Sequence, residues 1–135
     1  MKDKFMLKKL ASVFILAFIL NWIWEIAQSA LYLNHQGMPI TSFILFRAAA
    51  ADAVIILILV FIAQKLKINR SLFVALAGLV LAIVIEMWAL QTGQWAYSAL
   101  MPTVPIIRVG LTPTIQLAAI GYFVQKLVFR KSVKG

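Results

Sequence analysis

The chain has 135 residues, of which 64% are hydrophobic and 13% charged, and its mean hydropathy is +0.98. Such a composition cannot supply the polar surface of a water-soluble domain, so the expected class is an integral membrane protein. The formal charge of +9 would suggest nucleic acid in a soluble protein. Here the basic residues gather at the ends of apolar runs, where they suit anionic lipid headgroups, and no nucleic-acid partner is expected.

A membrane-crossing helix takes about 20 mostly apolar residues, and four windows qualify. The first runs from about Leu10 to Leu33, behind Lys2, Lys4, Lys8 and Lys9. That start has the charged head and apolar stretch of a secretory signal, with Ala27-Gln28-Ser29 as a faint cleavage site; the expectation is that it is kept as a helix. A short segment, Asn34 to Ile40, holds Gly37 and Pro39 and leads into the second window, Thr41 to Gln64. Lys65, Lys67 and Arg70 precede the third, Ser71 to Gln91. A longer segment, Thr92 to Gly110, carries Trp95, Tyr97, Pro102 and Pro105 before the fourth, Leu111 to Phe129, with Lys126, Arg130, Lys131 and Lys134 at its end.

The expected architecture is all-α: one domain, 1–135, forming a polytopic four-helix transmembrane bundle. Eleven of the thirteen basic residues fall at one set of helix ends, leaving Arg47 and Arg108 elsewhere. The positive-inside rule then puts both termini in the cytoplasm. The short basic start fits a prokaryotic cytoplasmic membrane.

Three of the four acidic residues, Glu25, Asp52 and Glu86, lie inside separate apolar windows. An acid at bilayer depth costs at least ~2.5 kcal/mol on the mildest insertion scale, so it usually faces protein or water and marks a working site. At 1.5 Å per residue, Glu25 and Glu86 sit roughly two-thirds of the way from the inner ends, and Asp52 and Arg47 reach the same outer half from the other direction. Ala17, Asn21, Glu25 and Gln28 share one helical face, as do Gly78, Ala82 and Glu86. Small residues four apart allow close helix packing, so Glu86 is expected to point at a neighbour.

These positions define an expected outward-facing pocket. Glu25, Asp52 and Glu86 are its candidate catalytic residues. Asn21, Gln28, Arg47, Gln91, Trp95, Tyr97, Arg108 and Gln116 are its candidate substrate-binding residues. Arg47 and Asp52 lie about 140° apart on their helix and are poor partners for each other. Ordinary helix packing and aromatic anchoring at the interface are the plainer explanations for the amides and the tryptophans.

Several chemistries drop out. No lysine lies well inside a window, which excludes a retinal-type Schiff base, and the sole histidine, His35, lies in an outer segment, which disfavours haem. The chain has no cysteine, hence no disulfide, thiol nucleophile or cysteine-held metal. No phosphate loop, nucleophile elbow or metalloprotease signature is present. Carboxylates can hold a hard cation, but no spacing selects one, and neither metal nor cofactor is assigned.

Glu86 to Tyr97 reads E-M-W-A-L-Q-T-G-Q-W-A-Y, and Gly110-Leu111-Thr112-Pro113 precedes Gln116. An acid followed by Gly93, Trp95 and Tyr97, then Pro113 at the next helix, resembles the membrane-embedded lycopene cyclase domain of carotenoid synthesis. That family has paired glutamates after the proline, where this chain has Thr114, Ile115 and Gln116. The resemblance implies a scheme in which an intramembrane acid protonates an apolar polyene and aromatic faces, such as those of Trp22, Trp24, Trp88 and Trp95, stabilise the cation.

Three functions fit these residues. One is an acid–base enzyme of cyclase or isomerase type acting on an apolar lipid or isoprenoid. Another is a proton- or cation-coupled carrier, similar to small four-helix multidrug exporters with a glutamate in the first helix. The last is a non-catalytic subunit or lipid-binding protein. Membrane lipids and an apolar small molecule are the expected partners, with homo- or hetero-oligomers open.

Overall fold

The computed structural model describes residues 2–130. Lys131 and Lys134, counted above with the inner charges, lie outside the described residues. The chain is mostly helical: α1 (Lys2–Gln28), α2 (Ser42–Gln64), α3 (Arg70–Gln91) and α4 (Leu111–Val128), with a short 3-10 turn at Ser29–Leu31. Among the described residues, three helices are long and apolar enough to cross a membrane: those within Asp3–Leu31, Ser42–Gln64 and Arg70–Gln91. α4 falls short of that standard because Gln116, Gln125 and Lys126 interrupt an 18-residue helix.

The helix starts have local causes. Thr41 caps α2 by accepting from the Ile44 N–H at 3.2 Å, and Asn69 caps α3 by accepting from the Leu72 N–H at 3.1 Å. Pro113 falls in the first turn of α4, where its missing N–H has no intrahelical partner to lose. α1 differs from expectation at both ends. Its helix extends back through the lysines to Lys2, and it stops at Gln28 rather than reaching Leu33.

The residues beyond Gln28 do something else. Tyr32–His35 (β1) pairs antiparallel with Trp95–Tyr97 (β2), matching Tyr32 with Tyr97 and His35 with Trp95, with an irregularity between Tyr32 and Asn34. This small sheet is an addition to a chain that is otherwise mostly helical. Both strands come from segments expected to be loops, and pairing them satisfies backbone groups that neither could satisfy alone.

The helices pack in the order α2, α1, α4, α3, with α1 against α2 and α3 against α4 forming the largest contacts. α3 and α4 approach closely at Gly78, where an added Cβ would lie 3.1 Å from the backbone carbonyl carbon of Leu117. The interior is built from small and mid-sized residues, among them Ala17, Ala53, Ala82, Ile56, Val60 and Val124. Large apolar side chains point outward instead: Ile15, Ile23, Phe43, Ile58, Val80 and Val84 are all exposed. A bundle greasier outside than inside is suited to lipid rather than water.

Candidate functional site

The bundle brings the three acids from α1, α2 and α3 to one place. Glu25, Asp52 and Glu86 all line a single cavity of about 300 Å³. Its walls are largely apolar, with Ile44, Ile55, Ile85 and Leu117 among them, and Tyr32, His35 and Trp95 reach it from the β1–β2 sheet. Two hydrogen-bonded groups divide the acids.

Gln116 organises the first. Its Nε2 donates to Asn21 Oδ1 at 2.9 Å, to Glu25 Oε1 at 3.0 Å and to Asp52 Oδ2 at 3.0 Å. Gln28 Nε2 donates to Glu25 Oε2 at 3.3 Å and to Gln116 Oε1 at 3.0 Å, and Trp24 Nε1 donates to Gln28 Oε1 at 3.1 Å. One residue of α4 therefore ties α1 to α2 across the bundle. Asn21, Glu25, Gln28 and Gln116 are all buried, so each bond replaces one that water cannot make.

Glu86 belongs to the second. Tyr32 donates to its Oε1 at 3.1 Å, while Trp95 Nε1 and the Tyr97 hydroxyl donate to its Oε2 at 3.0 and 2.6 Å. The Gly110 N–H donates to the Tyr97 oxygen at 2.8 Å, which leaves the phenol's own hydrogen for the carboxyl. A carboxyl with donors on both oxygens shows the acceptor-only pattern of the ionised form. The Tyr32 and Tyr97 phenols are both held above their ordinary range. Burial is the main cause for each, reinforced by the charge of Glu86 at Tyr32 and by the hydrogen bond to Glu86 at Tyr97.

The expected binding residues sort by position. Gln28, Arg47, Trp95 and Gln116 line the cavity with the acids. Asn21 and Tyr97 stand behind its wall, each holding a residue that does line it. Gln91 and Arg108 are not brought there: Gln91 is exposed at the last position of α3, and Arg108 is exposed in the segment between α3 and α4 with φ 57. The end of α3 turns away through Gly93, at φ 73, before β2 returns to the bundle.

Tyr32 joins the site beyond the expected residues, because α1 ends at Gln28 and the chain continues as β1 rather than as helix to Leu33. A usable signal existed. Tyr32–His35 precedes a glycine turn and Trp95–Tyr97 follows Gly93, and two short aromatic, β-prone runs beside glycine are strand candidates. Among the described residues no group of three or more acidic or histidine side chains has the arrangement of a metal site.

No family model, no curated protein and no solved structure matches the chain. The likeness from Glu86 to Gln116 therefore has no wider counterpart, and the chemistry of the cavity carries the functional argument.

Proposed function

We propose that this is a four-span membrane protein of a prokaryotic cytoplasmic membrane, with both termini inside, and that its outer cavity catalyses an acid–base isomerisation or cyclisation of an apolar, unsaturated lipid of isoprenoid type. The observation that carries the reading is the crowding at Gln116. Its amide nitrogen has two hydrogens but three acceptors within 3.0 Å. A proton resting between Glu25 and Asp52 supplies the missing donor and makes the pair the acid.

Glu86, with its three donors, faces the same cavity as the base. The pair gives its proton to one carbon of a C=C bond, leaving a carbocation. That cation either loses a proton from an adjacent carbon to Glu86, or is first attacked by a second double bond of the same chain to close a ring. The product is an isomer of the substrate, and the proton passes from Glu86 back to the pair between turnovers. A carboxylate weakened by hydrogen bonds suffices for the second step, since a carbocation is itself a very strong carbon acid. The rings of Tyr32 and Trp95 offer their faces to the cation in a site with few water-exposed polar walls.

The test is exchange of non-labile hydrogen. Membranes containing the protein are incubated in deuterated water with mixed unsaturated isoprenoids, and carbon-bound deuterium is measured by mass spectrometry. Wild type is expected to incorporate it, and Glu25→Gln, Asp52→Asn and Glu86→Gln to lose about 100-fold or more of the rate. A folded wild-type protein that incorporates none overturns the reading. Loss of pH-dependent ligand uptake in these variants would instead indicate a carrier, and loss of a co-purifying protein a subunit.

A further inference from the structure

The cavity has a floor, a roof and two sides. α1 and α4 supply the floor through Glu25, Gln28, Gln116 and Leu117, and the β1–β2 sheet supplies the roof through Tyr32 and Trp95. α2 and α3 form the sides, with Ala51 and Ile55 opposite Ala82 and Ile85.

The sides meet only in part. The short 65–69 link joins α2 to α3, and these two helices, like α1 and α4, pack less extensively than α1 with α2 or α3 with α4. Near the cavity, residues of both helices line its wall. On α2, Ala51 lines the cavity and is exposed, as is Arg47 one turn away, whereas Val54 is exposed but lies off the cavity lining. The carboxyls gather around Gln116 and among the donors to Glu86.

We propose that the cavity opens sideways into the bilayer between these side-wall residues, and that its occupant is the end of a long apolar chain whose remainder stays among the lipids. The volume of about 300 Å³ is at the lower end of ligand pockets and encloses an end group rather than a whole polyprenyl chain. Aliphatic walls and a lateral mouth suit a tail arriving from lipid. The acids then meet the terminal double bonds, which makes the reaction end-selective. This inference deepens the function proposed above and rests on its membrane placement, while the route can be tested without turnover.

Wild-type protein is reconstituted in phosphatidylcholine vesicles with a fatty acid carrying a diazirine at its methyl end, irradiated, and mapped by peptide mass spectrometry. Adducts are expected on the cavity carboxyls Asp52 and Glu86 and on the side-wall residues. Ala51→Phe, at an exposed position, and Ile85→Phe, on the opposite side, are expected to lower the carboxyl adducts at least fivefold, whereas Val54→Phe leaves them unchanged. Each variant is first shown to be monodisperse with wild-type helicity. Absence of carboxyl adducts in wild type, or adducts that survive both side-wall variants, overturns the proposal. If labelling behaves as expected but no deuterium enters any isoprenoid, the route stands and the acid–base chemistry is refuted.

Discussion

Tyr97 of the second outer segment donates to Glu86 of α3 across 2.6 Å, and the Gly110 N–H fixes the phenol oxygen from behind. This contact pins the β1–β2 sheet to the helices at the acid that the proposed chemistry uses as its base. Tyr97→Phe keeps the ring and removes that bond together with the acceptor for Gly110. The expected cost is about 1 to 3 kcal/mol of stability, read from unfolding in mixed detergent, with faster proteolysis of the 92–110 segment. A variant as stable and as protease-resistant as wild type would show that the contact does not hold the sheet.

Alkaline titration reports the same anchor. The raised phenols of Tyr32 and Tyr97 are neutral in the fold at a pH where an unfolded tyrosine has begun to ionise. Their contribution is complete below the unfolded pKa of about 10. It declines as pH rises above that value, because the unfolded state then loses the protons first. Phenolate absorbance between roughly pH 10 and 11.5 should therefore be smaller in the folded protein than after denaturation. Tyr97→Phe should leave the folded signal in that range unchanged.

Gln116 is the hub of the other group, so Gln116→Leu strips Asn21, Glu25 and Asp52 of a shared donor inside the bundle. The expected loss is about 2 to 4 kcal/mol. Combined with Asp52→Ala, the two costs should fall short of their sum by about 0.5 kcal/mol or more, since the second change removes an acceptor already orphaned. Strict additivity in the double-mutant cycle would mean that the amide and the carboxyl do not act together.

The α3–α4 seam gives a contrast between two glycines. At Gly78 a new Cβ would meet the backbone of Leu117 at 3.1 Å, whereas at Gly121 it would meet Val74 Cγ1 at 2.7 Å. A side-chain methyl can rotate away and a helix backbone cannot. Gly78→Ala is therefore expected to cost about 1 to 3 kcal/mol, and Gly121→Ala less, despite its shorter distance. The comparison is made by unfolding midpoint, and the reverse order would show that Val74 is the more rigid neighbour.

Orientation is read by labelling, which the absence of native cysteine simplifies. Gln36→Cys in the first outer segment is expected to react in intact cells with an impermeant maleimide, and Lys67→Cys between α2 and α3 only after lysis. The opposite pattern would invert the proposed topology.

Much of this protein could be read in one dimension. Long apolar runs fixed where α1, α2 and α3 lie, because hydropathy over some twenty residues is a local property of the chain. Asn21, Glu25 and Gln28 share a face by helical spacing alone, and their common depth with Asp52 and Glu86 needed only counting. Helical periodicity could not show which residue of α4 meets that face. Gln116 looked like any amide between helices, and its place at the centre of three acceptors depends on α4 lying between α1 and α3.

Tertiary structure alone decided the rest. The fourth helix turns its polar residues inward, with Thr114, Gln116 and Gln125 all buried while Ile115, Phe123 and Leu127 are exposed, so its modest hydropathy reflects its surroundings in the bundle. Tyr32 and Tyr97 are separated by nearly half of the chain and meet only because two connecting segments pair as strands. Depth and face are set by neighbours along the backbone, and the sequence determines them. Which donor reaches which carboxyl is set by neighbours through space, and that the packing of the bundle determines.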